Sequence, residues 1–344
     1  MKKRMPWADA LRGFLILMIV YGHTASNGDM LKYYAYSYHV AAFFFLSGFL
    51  FSKGEGGFKT FFKKKFRQLM IPYYIFSAIS ILVFALLGSF ASEKLSVTIK
   101  HSEIYKNVLG MLYASAVEGY MKWNLPLWFL PCMFVSQLLY YPIAEPVKKL
   151  IRKKQLFVFP LLVLSLMLPY LDYFVFRVRA LPFHIESSVF LMPFFLLGAC
   201  IRHMNVDFCA NNLKKWAICI LLLVLGALIA LLFNTQVNYF LSSYGKITVF
   251  YLAAFLSVLG IFMLFQRISL SPLIYLGQNT MPILLMHKFP VVLFQILLSS
   301  VFTKTGAVHT LASGIIAVLS CTLCLCAGRI IEKFAPFMLG KDKK

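Results

Sequence analysis

The chain has 344 residues, 60% of them hydrophobic and only 13% charged, with a formal net charge of +22. Its mean hydropathy of +0.78 excludes an ordinary soluble domain, in which about a quarter of residues are charged. Length alone suggests two or three domains, but repeated apolar stretches joined by short loops describe one polytopic membrane bundle.

Ten stretches near the ~20 residues that cross a bilayer follow one another at 7–25, 38–52, 69–90, 124–144, 155–173, 187–201, 216–233, 247–265, 280–300 and 310–328. The second and sixth are short. Polar breaks such as Ser52-Lys53-Gly54-Glu55-Gly56-Gly57 and Arg202-His203-Met204-Asn205 separate most of them. The expected fold is all-α: one integral-membrane domain over 1–344, with about ten transmembrane helices over 7–328 and a basic tail over 329–344. With the N-terminus inside, the inner segments hold most of the 34 Lys and Arg residues. They include Lys2, Lys3 and Arg4, Lys63-Lys64-Lys65 with Arg67, Lys148-Lys149, Arg152-Lys153-Lys154 and the tail from Arg329. This positive-inside bias puts both termini in the cytoplasm. The basic surplus therefore reads as topology and attraction to anionic membrane lipid, not as a nucleic-acid footprint. The start imitates a cleavable signal, but Asp9 and Arg12 interrupt it and no A-x-A-like site follows. The first span is expected to stay in the mature protein.

That first span encloses a carboxylate, a guanidinium and an imidazole: Asp9, Arg12 and His23. Ionisable groups inside a membrane are costly and mark function by default. Arg12 and His23 are three turns apart, so they share a face and lie roughly 16 Å apart along the axis. Asp9 and Arg12, at i and i+3, either form a pair that steadies the start of the helix or leave Arg12 facing a cavity where it binds an anion. In the second span, His39 enters at about the depth of His23, and Ser47-Gly48 suits a close helix crossing. Lys64-x-x-Arg67, before Ile71-Pro72-Tyr73, suits lipid headgroups or the phosphates of a nucleotide-bearing cofactor.

The outer loop at 91–123, with Glu93, Glu103 and Glu118, leads to Trp123-Asn124-Leu125-Pro126-Leu127-Trp128. Its tryptophans fit an interfacial belt, and its prolines fit a broken helix lining a cavity. In the ninth span, His287 and Lys288 are buried ionisable candidates, although a helix break or snorkelling would displace Lys288. Six cysteines (132, 200, 219, 321, 324, 326) fall in apolar spans, and Cys209 in an inner loop. Cys321-x-x-Cys324-x-Cys326 has metal-like spacing but reads as core filling. No metal is expected, and no P-loop, dinucleotide fingerprint, repeat or low-complexity tract is present.

Together these stretches resemble acyltransferase family 3, integral-membrane enzymes, and most closely its fucose 4-O-acetylase-like branch. The carrying motifs are Trp7-Ala8-Asp9-Ala10-Leu11-Arg12-Gly13 with Gly22-His23, and His39 with Phe43-Phe44-Phe45-Leu46-Ser47-Gly48. Lys64-x-x-Arg67 before Ile71-Pro72-Tyr73, Leu127-Trp128-Phe129-Leu130, and Leu276-Gly277-Gln278-Asn279-Thr280 with His287 follow in the family's order. Lys64 departs from the arginine many members carry, and Ala41-Ala42 from the branch's usual proline and small apolar residue. No extracytoplasmic hydrolase-like domain, such as some members carry, is expected within these 344 residues.

The resemblance implies a multi-pass protein of a bacterial cell membrane that moves an acetyl group from acetyl-CoA to a sugar hydroxyl. The acceptor would be a cell-surface glycan or its lipid-linked precursor. It implies catalytic roles for His23 (general base or transient acetyl carrier), Arg12 and Asp9, with Asp9 orienting Arg12. It places the donor's phosphates at Arg12, Lys64 and Arg67, and the acceptor at His39, Trp128 and His287. The competing readings are a glycan or lipid transporter and a non-catalytic assembly subunit. A transporter would show paired repeats with interrupted helices in both halves, whereas the marked residues here concentrate in the first third.

Overall fold

The computed structural model describes residues 4–95, 101–204, 213–298 and 306–342. Lys2, Lys3, Asn205 and Cys209 lie outside these residues, as do the side chains of Glu93 and Glu118. Apart from one isolated bridge between Asn238 and Ser243, the regular structure of the described residues is helical. The helices are α1 (Pro6–Thr24), α2 (Met30–Phe49), α3 (Gly57–Lys65), α4 (Ile71–Leu95), α5 (His101–Tyr113), α6 (Phe129–Lys153) and α7 (Val158–Leu171). They continue as α8 (Ile185–His203), α9 (Leu213–Phe233), α10 (Ile247–Phe265), α11 (Ser271–Gln278), α12 (Thr280–Met286), α13 (Lys288–Leu297) and α14 (Ala307–Phe334).

Among the described residues seven helical segments are long and apolar enough to cross a membrane, or eight if the bent α12–α13 pair is one span. The first two expected spans fall on α1 and α2, 19 and 20 residues long but diluted by polar residues. These two helices are among the more enclosed of the bundle. A polar group facing protein needs an internal partner rather than lipid compatibility, so low hydropathy here marks the interior. The lipid-type helices are at the other extreme: the spans containing α7 and α9 are 6% and 17% buried, against 83% for α8.

Several expected boundaries need correction: the fourth span runs on to Lys153, and the tenth covers Ala307–Phe334, taking in the start of the expected tail. The second span begins at Met30 rather than 38, because Asp29 caps it by accepting the Lys32 backbone N–H at 2.8 Å. The sixth is a full 19-residue helix. Hydropathy trims such ends because it cannot credit Lys32 or Glu186 with partners inside the bundle.

Glycine sets the crossings. A Cβ on Gly13 would lie 1.9 Å from the Leu273 carbonyl oxygen, and one on Gly277 would lie 1.7 Å from that of Asp9. Helices α1 and α11 therefore touch backbone to backbone. Gly48 meets the Phe195 carbonyl and Gly198 meets that of Phe45, both at 1.9 Å, which locks α2 onto α8 as Ser47-Gly48 predicts. Around these crossings Phe44, Phe45, Phe190, Phe194, Phe195, Phe250 and Phe262 are fully enclosed.

Two prolines break the helical ladder where the chemistry is expected. Pro72 has no N–H for the Gln68 carbonyl, and the chain widens there into a π turn, Phe66–Met70, that presents Arg67. Pro290 likewise leaves the Met286 carbonyl without its usual donor, and α12 and α13 meet at 52° on either side of His287. The expected broken helix near Trp128 is a 3₁₀ stretch, Lys122–Trp128, with Asn124 out of helical conformation. Trp123 departs from the expected belt: it is buried, and only Trp128 is partly open. Of the cysteine triplet, Cys321 and Cys324 are buried and Cys326 is exposed.

Gly277→Leu is expected to cost about 1–3 kcal/mol or more through overpacking. It should lower the melting midpoint and the monodisperse yield in size-exclusion chromatography. Gly314→Ala, where nothing lies within 4 Å of the added carbon, should leave both unchanged.

Candidate active site

His23 opens on a cavity of about 260 Å³ at the end of the bundle opposite Arg12. Helix α1 contributes Ile19, Gly22 and His23 to its wall, and α2 contributes Lys32, Tyr36 and His39. The 3₁₀ stretch adds Leu125, Pro126 and Trp128, and the loop after α9 adds Gln236, Asn238 and Tyr239. The sequence brings α1 and α2 this close through Gly22, where a Cβ would lie 2.3 Å from the Tyr36 ring. Reciprocal hydrogen bonds then pin the end of α1 to α14. Thr24 donates to the Ser313 carbonyl at 3.0 Å, and Ser313 donates to that of Thr24 at 3.2 Å.

Three histidines meet here in different states of engagement. The His39 Nδ1 is 2.6 Å from the Ala35 carbonyl, and the His287 Nδ1 is 2.8 Å from that of Ile283. A carbonyl only accepts, so in both rings Nδ1 carries the hydrogen and Nε2 keeps the lone pair. His287 is wholly buried, and among the described residues its Nε2 has no hydrogen-bond partner. The His23 ring lies 5.2 Å from the His287 ring, tilted by 38°. Among the described residues none hydrogen-bonds the His23 ring, which faces the cavity unencumbered. Trp128 and His39 line the same space as His23, and His287 stands behind the His23 ring without lining the cavity.

The other end of α1 is organised by Asp9. Buried at 4% exposure, it accepts from Arg4 at 2.9 Å, lies 3.6 Å from the Arg12 guanidinium and receives the Gln278 amide at 3.5 Å. Arg12 is thus paired and still partly open. It is not part of the cavity wall, which extends down α1 only to Ile19. Arg67 is held by Asp342 at 2.8 Å, and Lys64 is exposed. Lys65, between them, is buried enough to feel like-charge repulsion from Lys64 and Arg12.

Several residues of the site carry no recognisable sequence signal. Lys32, Tyr36 and Asn27 fall where hydropathy places a loop. The segment 234–246 folds over the cavity, held by the Tyr239 hydroxyl donating to the Ser37 carbonyl at 3.1 Å. Its Asn234-Thr235-Gln236-Val237-Asn238-Tyr239 run is the one available hint. Behind Trp128, whose ring lies 5.4 Å from that of His184, sits a buried His184–Glu186 pair at 3.6 Å. The His184 Nε2 accepts from the Ala116 N–H at 3.0 Å, which leaves Nδ1–H toward Glu186. At the rim, burial pushes Asp29 up, but hydrogen bonds from Thr310 and the Lys32 N–H outweigh it and hold the carboxyl below its usual range. Among the described residues no group of three or more His, Cys, Asp or Glu is placed to hold a metal ion.

The model of the acyltransferase domain family (acyltransferase family 3) matches residues 5–326. No curated protein and no solved structure matches the chain.

Tyr239→Phe is expected to cost about 1 kcal/mol, the worth of one hydrogen bond. Thermal unfolding should show the lowered midpoint, and limited proteolysis should cut faster within 234–246.

Proposed function

We propose, since the chain belongs to acyltransferase family 3 and is therefore a membrane acyltransferase, that it moves an acetyl group from acetyl-CoA to a sugar hydroxyl. The acceptor would be a cell-surface glycan or its lipid-linked precursor. The observation that carries this reading is the free His23 ring on a cavity walled by aromatic rings and side-chain amides. Such walls suit a sugar: rings offer apolar faces and amides offer paired donors and acceptors. Family membership also argues against the transporter alternative.

In the proposed transfer, the acceptor hydroxyl oxygen attacks the thioester carbonyl while His23 takes its proton. The carbon–sulfur bond breaks, and the thiolate of CoA leaves and is protonated, which returns His23 to its neutral form. In the two-step variant the His23 nitrogen itself attacks the thioester carbonyl and expels the CoA thiolate. The acceptor oxygen then attacks the acetyl-imidazole carbonyl, taking the acetyl group, giving up its proton and releasing neutral His23. His287 backs the His23 ring and His39 faces the acceptor. At the opposite end, Arg12, oriented by Asp9, receives the donor's phosphates together with Lys64 and Arg67. The pantetheine arm then has to cover the roughly 16 Å along α1 that separates Arg12 from His23. The positive-inside bias makes the Arg12 end cytoplasmic, where the donor is made.

Purified, folded His23→Ala protein should acetylate acceptor about 10²–10⁴-fold more slowly than wild type; a wild-type rate would overturn the assignment. Asp342→Ala removes the carboxylate that occupies Arg67. Because the pair is exposed, stability should change by less than about 1 kcal/mol. Initial rates should show a lower KM for acetyl-CoA, and an unchanged KM would remove Arg67 from the donor site.

A further inference from the structure

The cavity beside His23 contains a cation that the proposed transfer does not use. Lys32, in the first turn of α2, is only 8% exposed and lines the cavity wall. Its ammonium donates to the Ala25 carbonyl at 2.9 Å and to the Asn27 side-chain oxygen at 3.1 Å, and lies 5.7 Å from the centre of the Tyr36 ring. Every one of these partners is neutral. Asp29, three residues earlier, is committed elsewhere: one oxygen accepts the Lys32 backbone N–H and the other the Thr310 hydroxyl at 2.6 Å. None of the side chains lining the cavity is acidic.

The direct contacts of the Lys32 ammonium are all neutral and only the Asp29 charge, at longer range, offsets its burial, so an anion at hydrogen-bond distance is what completes the compensation. An ammonium has three N–H donors; two are used within the protein, and the third is left for whatever fills the cavity. The neutral part of the wall fits a sugar, with Asn27, Gln236 and Asn238 for hydroxyls and Tyr36, Trp128 and Tyr239 for ring faces. We infer that the acceptor is an anionic sugar, one bearing a carboxylate or a phosphate that pairs with Lys32 while another hydroxyl of the same residue faces His23. This rests on the proposed function only in assigning this cavity to the acceptor.

The test is binding, read from tryptophan fluorescence of the full-length protein in detergent, with glucose, glucuronate and glucose 1-phosphate as probes. Wild type should bind at least one charged sugar about tenfold or more tighter than glucose, the scale of a single charge-assisted hydrogen bond. The charged sugar that binds identifies the anion as carboxylate or phosphate, and added salt should weaken it without affecting glucose. Lys32→Gln should abolish the preference and Lys32→Arg should keep it. The wild-type selectivity and its salt dependence decide the matter even if Lys32→Gln fails to fold. Equal binding of glucose and both charged sugars, or no binding of either charged sugar, would overturn the inference. Charged-sugar binding without acetyl transfer from acetyl-CoA to any acceptor would instead defeat the proposed function and leave standing only an anionic-sugar site at Lys32. Acetyl transfer with equal binding of neutral and charged sugars would do the reverse.

Discussion

Inside a membrane, each ionisable or hydrogen-bonding side chain must find its partner within the bundle, because lipid offers none. That constraint organises this protein. Asp9 gathers Arg4, Arg12 and Gln278 at one end of α1. At the other end, Thr24 and Ser313 satisfy each other and Lys32 ties the α1–α2 turn together. The polar helices are therefore central, and strongly apolar ones such as α7 and α9 form much of the lipid-facing rim. The arrangement inverts a soluble protein, in which the apolar helices would be innermost.

Partners can meet only if the backbones approach closely, and that is the work of glycine. The Gly13–Gly277 and Gly48–Gly198 contacts bring backbone carbonyls against Cα atoms, closer than any side chain permits. The first crossing sets Gln278 beside Asp9, and so the frame in which Arg12 is held. The second fixes α2 against α8, and with it the position of His39 relative to the cavity. Gly22 extends the same principle into the site itself, since the Tyr36 ring occupies the space a side chain would need.

Much of this was legible in the sequence. The spans were readable because lipid-facing hydropathy is a local property. Asp9, Arg12 and His23 were readable because charge is conspicuous in an apolar run, and Gly48 because small residues beside aromatics mark a crossing. What was not legible depends on contacts remote in sequence. The start of α2 was hidden because Lys32, Tyr33 and Tyr34 look like loop until Ala25, Asn27 and Asn234 are brought against them. The 234–246 segment shows its role only through the Ser37 carbonyl that anchors Tyr239, some two hundred residues away. Neither the engagement of Arg67 by Asp342 nor the proximity of Lys65 to Arg12 could follow from spacing along one helix.

The sequence resemblance singles out His23 among the three histidines, and the structure adds a different state of engagement for each ring. His39 and His287 each surrender Nδ1–H to a carbonyl one turn back, which fixes the ring and its tautomer and leaves a single basic nitrogen in a set direction. Among the described residues the His23 ring makes no such hydrogen bond, so no carbonyl fixes its tautomer. A group that must accept a proton at one step and release it at the next benefits from that freedom. A group that must hold another ring in place benefits from its opposite. In the proposed transfer, the fixed His287 against the unbonded His23 would divide support from chemistry. The two rings meet because the Pro290 bend turns α12 and α13 around His287, setting its ring against α1 at the level where the cavity begins.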